Sequence, residues 1–161
     1  DVYKRQGLMT RRFLEVYRLE WGRRATTMGL SRHQVVTLAS IIEKESGNKD
    51  EMALISAVFH SRLKNGLKLM SDPTVIYGLD NFNGNLTKKN LRYPSPYNTY
   101  INYGLPPGPI SNPGKESLLA ALWPAHVDYL YFVSKNDGTH YFSRTYKEHQ
   151  EAVFKYQMRK R

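Results

Sequence analysis

The sequence predicts an α+β fold, and three observations predict it. Apolar residues recur at helix spacing through the first 64 positions, in segments punctuated by glycine or by a serine cap. An alternating run at 129–134, the turn Asn136-Asp137-Gly138 and a second short run at 140–143 read as an antiparallel β-hairpin. Between them, residues 80–113 are rich in Asn, Gly, Pro and Tyr and show no sustained periodicity. The order is helices, irregular middle, helix, hairpin, helix, with no repeats and no linker. A chain of 161 residues makes one domain with a real core, so 1–161 is expected to be a single unit.

Residues 8–28 carry Leu8, Phe13, Val16, Leu19 and Trp21 among arginines and predict one amphipathic helix ended by Gly29. Ser31 is a good N-cap for the next helix, in which Val35, Leu38, Ala39 and Ile42 form one buried stripe and Gly47 is the stop. A third helix is expected over about 50–64, with Met52, Ile55, Val58, Phe59 and Leu63 inward and Asn65-Gly66 closing it. Residues 67–70 suit a short strand. Ser71-Asp72-Pro73 then opens a brief helix with proline at its first position, stopped by Gly78. Asn112 as N-cap, Pro113 and Glu116 lead into an apolar helix over 117–123 that ends before Pro124. A final helix over about 146–159 should pack Ala152, Val153 and Tyr156.

Two carboxylates at the end of the second helix stand out. At about 100° per residue, Glu45 lies near the edge of the apolar stripe, three residues after Ile42 and four after Ile41. There it is partly desolvated and feels the negative end of the helix dipole; both disfavour the charged form, as a general acid requires. Lys44 points the other way and Glu43 sits on the flank, where the plain expectation is a surface pair with Arg or Lys. The irregular middle offers Tyr93, Tyr97, Asn98, Tyr100, Asn102 and Tyr103, aromatic faces and amides of the kind that stack on and hydrogen-bond to sugars. Composition equally allows a structural Ω-loop pinned by prolines.

The formal net charge of +10 favours anionic partners, yet no nucleic-acid motif accompanies it, so no nucleic acid is expected. The basic clusters at Arg11 and Arg12, Arg23 and Arg24, Lys88 and Lys89, and 159–161 are spread along the chain. Without cysteine there are no disulfides and no thiolate metal sites. His33, His60, His126, His140 and His149 show no ligand spacing, so neither a metal nor another cofactor is expected. No apolar run approaches a membrane span, no signal-peptide pattern occurs, and the start at Asp1 without Met suggests a fragment.

Several runs resemble one family, the endolytic murein transglycosylases, also called MltG-type or YceG-like proteins. They are Leu-Ala-Ser-Ile-Ile-Glu-Lys-Glu-Ser at 38–46, Ser-Asp-Pro-Thr-Val-Ile-Tyr-Gly at 71–78 and Tyr-Asn-Thr-Tyr at 97–100. Gly-Leu-Pro-Pro-Gly-Pro-Ile at 104–110, Tyr-Leu-Tyr-Phe-Val at 129–133 and Gly-Thr-His-Tyr-Phe-Ser at 138–143 complete the set. They fall in the family's order and cover most of residues 30–155. The resemblance implies a lysozyme-like helical layer and internal cleavage of peptidoglycan strands between MurNAc and GlcNAc, leaving a 1,6-anhydro-MurNAc end. It lays the family's catalytic glutamate on Glu45, with Ser46, Ser71, Asp72, Tyr97, Asn98, Thr99 and Tyr100 as candidates for substrate binding. Expected partners are peptidoglycan glycan strands and, as candidates, peptidoglycan synthases. The family's N-terminal membrane anchor and small LysM-like domain are not among these 161 residues. The resemblance implies placement on the extracytoplasmic face of the bacterial membrane, with that anchor as the only membrane connection.

A non-catalytic glycan-binding module that keeps the fold is the alternative. Glu45 and Ser46 argue against it, since a binder has no use for a semi-buried acid. The sequence further predicts two helices over 31–64 meeting near Gly47, with Glu45 lining a groove whose opposite wall is 93–112.

Overall fold

A computed structural model of the chain describes residues 1–158. Its helices are α1 (Val2–Val16), α2 (Leu19–Thr27), α3 (Arg32–Glu45), α4 (Met52–Lys64), α5 (Asp72–Gly78), α6 (Lys115–Leu122) and α7 (Tyr146–Val153). A two-stranded antiparallel sheet, β1 (Tyr131–Ser134) and β2 (His140–Ser143), lies between α6 and α7. Short 3-10 turns cover Lys49–Glu51 and Asn90–Arg92, and a π-helical turn, Phe154–Met158, continues α7. The α+β class read from the sequence is the class observed. Of the expected last helix, residue 159 lies outside the described residues.

Helix α3 is the central element because its middle, Val35 to Ile42, is apolar or small throughout. Val35, Leu38, Ala39, Ile41 and Ile42 are buried and pack against α2, α4, α5 and α6. Its start is a capping box: the Gln34 N–H donates to Ser31 Oγ at 3.2 Å, and the Ser31 N–H donates to Gln34 Oε1 at 2.8 Å. Its end differs from expectation. Gly47 is not the stop; Ser46 turns extended (φ −141°, ψ 131°) and its Oγ accepts the Asn48 N–H at 3.0 Å. That local hydrogen bond offers the chain an alternative to another helical turn.

The single helix expected over 8–28 is two, broken at Tyr17 and Arg18. Tyr17 and Trp21 are buried, edge-on to one another at 5.8 Å, whereas Leu8 and Leu19 are exposed, so packing of the aromatic pair overrides the continuous periodicity. Gly29 does end α2, with φ +71° and the Leu30 N–H returning to the Ala25 carbonyl at 2.9 Å. Residues 67–70 form no strand; they run beside α4, and the Met70 N–H donates to the Thr99 carbonyl at 3.1 Å. Helix α6 starts at Lys115, with Gly114 rather than Asn112 at its N-cap and no cap bond from its own side chain.

The hairpin forms as the alternation predicts, with Phe132 opposite Phe142 and Ser134 opposite His140. Its turn needs two residues in the left-handed region, Asn136 (φ +64°) and Gly138 (φ +86°). It is fastened to the helical layer by Glu51, whose carboxylate accepts the His140 main-chain N–H at 3.1 Å and lies 2.8 Å from His140 Nδ1. Phe132 meets the buried Phe59 of α4 edge-on at 5.9 Å. Together these contacts set β1 across the end of α3. No helix among the described residues is long and apolar enough to cross a membrane.

Candidate active site

Glu45 is the last residue of α3, and its carboxyl opens into a cavity of about 290 Å³. Val58 and Arg62 of α4, Leu69, Met70, Asp72 and Tyr100 line it together with Leu130, Tyr131, Phe132, Tyr146 and His149. The hairpin and α7 therefore supply a large part of the lining around Glu45. Of the expected wall at 93–112 only Tyr100 takes part. This corrects the sequence expectation, and the cause is the attachment of the hairpin to the helical layer, through Phe132 of β1 on Phe59 and His140 of β2 on Glu51.

Within the cavity the Ser71 hydroxyl donates to Glu45 Oε1 at 2.5 Å. Tyr100 donates its hydroxyl to Asp72 Oδ1 at 2.6 Å. Burial pushes the Glu45 pKa up to about 7; the Ser71 hydrogen bond pulls it back and the nearby Asp72 charge raises it further. Tyr100 is held protonated by its own burial and by Asp72, so it serves as a donor at any working pH. The site thus holds a carboxylic acid that keeps its proton near neutrality beside a serine and a tyrosine hydroxyl.

Because the folded-state pKa of Glu45 is raised, the native state holds a proton that the unfolded chain has already lost between pH 4.5 and about 7. Native stability should therefore fall as pH rises through that window. Glu45→Gln, which cannot ionise, should be the more stable form at pH 8 and lose its advantage below about 4.5. Paired thermal melts across this range check it: a difference independent of pH would contradict a raised pKa.

The other carboxylate at this helix end has a different task. Glu43 accepts the Gly114 N–H at 3.0 Å and the Ser117 hydroxyl at 2.5 Å, so it caps the N-terminus of α6 from another helix. Among the described residues it makes no surface pair with Arg or Lys, contrary to the sequence expectation, and it lies outside the cavity.

The proposed binding residues divide into two sets. Ser71, Asp72 and Tyr100 meet around Glu45. Ser46 closes its own turn with Asn48, and Thr99 bonds Thr74 Oγ1 and the Ser71 N–H; both are buried away from the cavity lining. Asn98 is wholly buried, donating to the Leu91 and Tyr93 carbonyls and accepting the Tyr100 N–H. Tyr97 packs against Tyr77 with ring centroids 4.7 Å apart. Tyr93 donates to Asp80, and Asn102 donates to the Ser95 and Asn98 carbonyls. The middle segment is mostly a scaffold braced by asparagine amides, which delivers Tyr100 to the site.

Sequence reasoning missed Arg62, Tyr131, Tyr146 and His149. Arg62 carried a legible signal: it continues the apolar stripe of α4, four residues after Val58 and three after Phe59, where a charge has no ordinary place. Likewise His149 precedes the buried Ala152 by three. Among the described residues no group of three or more His, Asp or Glu side chains is arranged to hold a metal ion.

Comparison with known proteins gives this geometry relatives. Residues 4–155 match the YceG-like family. The chain is 40% identical over 156 residues to the endolytic murein transglycosylase of Bacillus subtilis (strain 168), covering 97% of this chain and 42% of that protein. It is 29% identical over 130 residues to the endolytic murein transglycosylase of Streptococcus pneumoniae (serotype 2, strain D39), covering 77% of this chain and 24% of the relative. A crystal structure of a yceG-like protein from Listeria monocytogenes superposes with a TM-score of 0.75 at 44% identity, covering 83% of this chain and 43% of that one. The chain thus spans less than half the length of each of these relatives.

Proposed function

The chain belongs to the YceG-like family, and from that premise we propose that residues 1–161 act as one catalytic unit of an endolytic peptidoglycan lytic transglycosylase. The observation that carries the reading is Glu45: a carboxyl at the edge of a cavity, with its pKa raised to about 7 by burial and a serine hydroxyl on one oxygen. Relatives named for endolytic murein transglycosylation support the substrate class.

One carboxyl suffices for the chemistry. Protonated Glu45 gives its proton to the glycosidic oxygen as the bond to C1 of MurNAc lengthens and an oxocarbenium-like centre develops. The C6 hydroxyl of the same sugar then attacks C1, and the Glu45 carboxylate takes its proton. The acid is regenerated, no water is consumed, and the strand ends in 1,6-anhydro-MurNAc. Asp72, the other carboxylate at the cavity, is engaged by the Tyr100 hydroxyl, which suits a positioning role better than that of a second base. In this reading the enzyme works on the extracytoplasmic face of the membrane, on glycan strands supplied by synthases.

Mass spectrometry of glycan strands digested by this chain tests the reaction type. Products should carry 1,6-anhydro ends and be lighter by one water than hydrolase products. Reducing MurNAc ends would make the enzyme a hydrolase with Asp72 as base, and an undigested strand that still binds would favour the glycan-binding module.

A further inference from the structure

The cavity has two chemically different ends. Glu45, Ser71, Asp72 and Tyr100 make up one. The other is built around Arg62, which is only 8% exposed yet lines the same cavity. Its Nε donates to the Lys68 carbonyl at 2.8 Å and Nη1 to the Leu130 carbonyl at 2.7 Å. Nη2 finds only the thioether of Met70 at 3.3 Å, a weak acceptor. Two backbone carbonyls and a sulfur leave N–H groups of the guanidinium fork without a strong partner. None of the ion pairs among the described residues involves Arg62. A buried cation without a counter-charge is costly, and such a cation facing a cavity is stabilised by an anion that enters it.

A second observation stands at the same end. The His149 ring stacks on Tyr131 at 5.1 Å, and its buried Nδ1 has no hydrogen-bond partner. The guanidinium carbon of Arg62 lies 5.4 Å from the centre of that same Tyr131 ring. Burial, together with Arg62, lowers the His149 pKa, so the imidazole is neutral near pH 7 and the guanidinium carries the positive charge alone.

We propose that the Arg62–Tyr131–His149 end of the cavity is a carboxylate-binding subsite that positions the substrate for Glu45. Arg62 presents its free N–H groups to the carboxylate, the Tyr131 face packs against the adjoining carbons, and His149 supplies a further polar contact. The inference rests on the transglycosylase reading above and names what that reading leaves open, the group by which the strand is recognised. On a glycan strand the carboxylate has two sources: the lactyl group of MurNAc where the peptide stem has been removed, or the stem's own carboxylates where it remains. The subsite lies on α4, β1 and α7 in the same cavity as the acid at the end of α3, so it orients the sugar relative to Glu45.

Binding measured by calorimetry to the Glu45→Gln protein tests this without turnover. One pair of ligands is a stem-free MurNAc–GlcNAc oligosaccharide and the same oligosaccharide with its lactyl carboxyls reduced to alcohols. The other pair is a stem-bearing oligosaccharide and its amidated counterpart. Loss of the carboxylate should weaken binding by about 10- to 100-fold in whichever pair contains the true source, the range of a hydrogen bond to a charged group. Adding Arg62→Gln should abolish that discrimination and leave the reduced or amidated ligand unaffected. Should that variant fail to fold, the ligand pairs on the protein with Arg62 intact still decide. Equal affinity within both pairs would overturn the subsite and leave the transglycosylase reading standing. Failure of all four ligands to bind would overturn both.

Discussion

Glu45→Gln should lower turnover by roughly 10²–10⁴-fold, or more, the share assigned to general acid–base catalysis. The substitution keeps the size of the side chain and an oxygen that accepts the Ser71 hydroxyl, so the cavity should keep its shape. What disappears is the ionisable carboxyl, which the proposed mechanism uses twice, first as acid and then as base. The Glu43→Gln protein is the matched control. Glu43 lies two residues away on the same helix but bonds the Gly114 N–H and the Ser117 hydroxyl, and glutamine retains an acceptor for both. Its turnover should stay within a few-fold of the parent, with stability lowered by about 1 kcal/mol as the charge leaves the α6 N-terminus. Release of anhydro-sugar ends, followed by chromatography, checks both variants. Full activity in Glu45→Gln with loss in Glu43→Gln would move the acid two residues upstream. Loss in both would point to the end of α3 as a structural joint rather than to one catalytic group.

Asn98→Ala should be the more damaging change to the fold. The side chain has no exposed surface, and its amide ties the Leu91 and Tyr93 carbonyls, at 3.1 and 2.8 Å, to the Tyr100 N–H at 2.9 Å. Truncation would leave these backbone groups without their side-chain partner inside the protein, at a cost of about 1–3 kcal/mol for each one stranded from water. A total near 3 kcal/mol would lower the melting temperature by about 6–12 °C in a domain of this size. Activity should fall as well, because Tyr100 is two residues on and its hydroxyl holds Asp72 at the cavity. A thermal melt separates this from direct sugar binding. An Asn98→Ala protein with unchanged melting temperature and weakened glycan affinity would show that the amide meets substrate instead.

Parts of this molecule follow from short stretches of chain and were legible there. The Ser31 cap with Gln34, the left-handed Gly29 and the hairpin turn at 136–138 each depend on residues a few positions apart. The position of Glu45 on its helix is of the same kind: the stripe of Val35, Leu38, Ala39 and Ile42 fixes which side of the last turn meets the protein. Helical periodicity alone therefore separates Glu45 from Lys44. The runs at 38–46 and 71–78, with four others, supplied the family, and with it Ser71 and Asp72 as candidates for substrate binding.

Tertiary structure decided the rest. Glu43 meets Gly114 and Ser117 across 71 and 74 residues of chain, and no periodicity encodes a partner at that distance. The polar amides of the middle segment suggested sugar contacts because composition cannot tell an amide that faces a ligand from one that faces its own backbone. Burial settles that for Asn98, whose hydrogen bonds are all internal. Part of the cavity lining around Glu45 comes from β1 and α7 because the Glu51–His140 attachment and the Phe59–Phe132 contact hold the hairpin against the helical layer. Local spacing places a side chain on a face of its own helix, whereas the charges and rings that surround it are chosen by long-range packing.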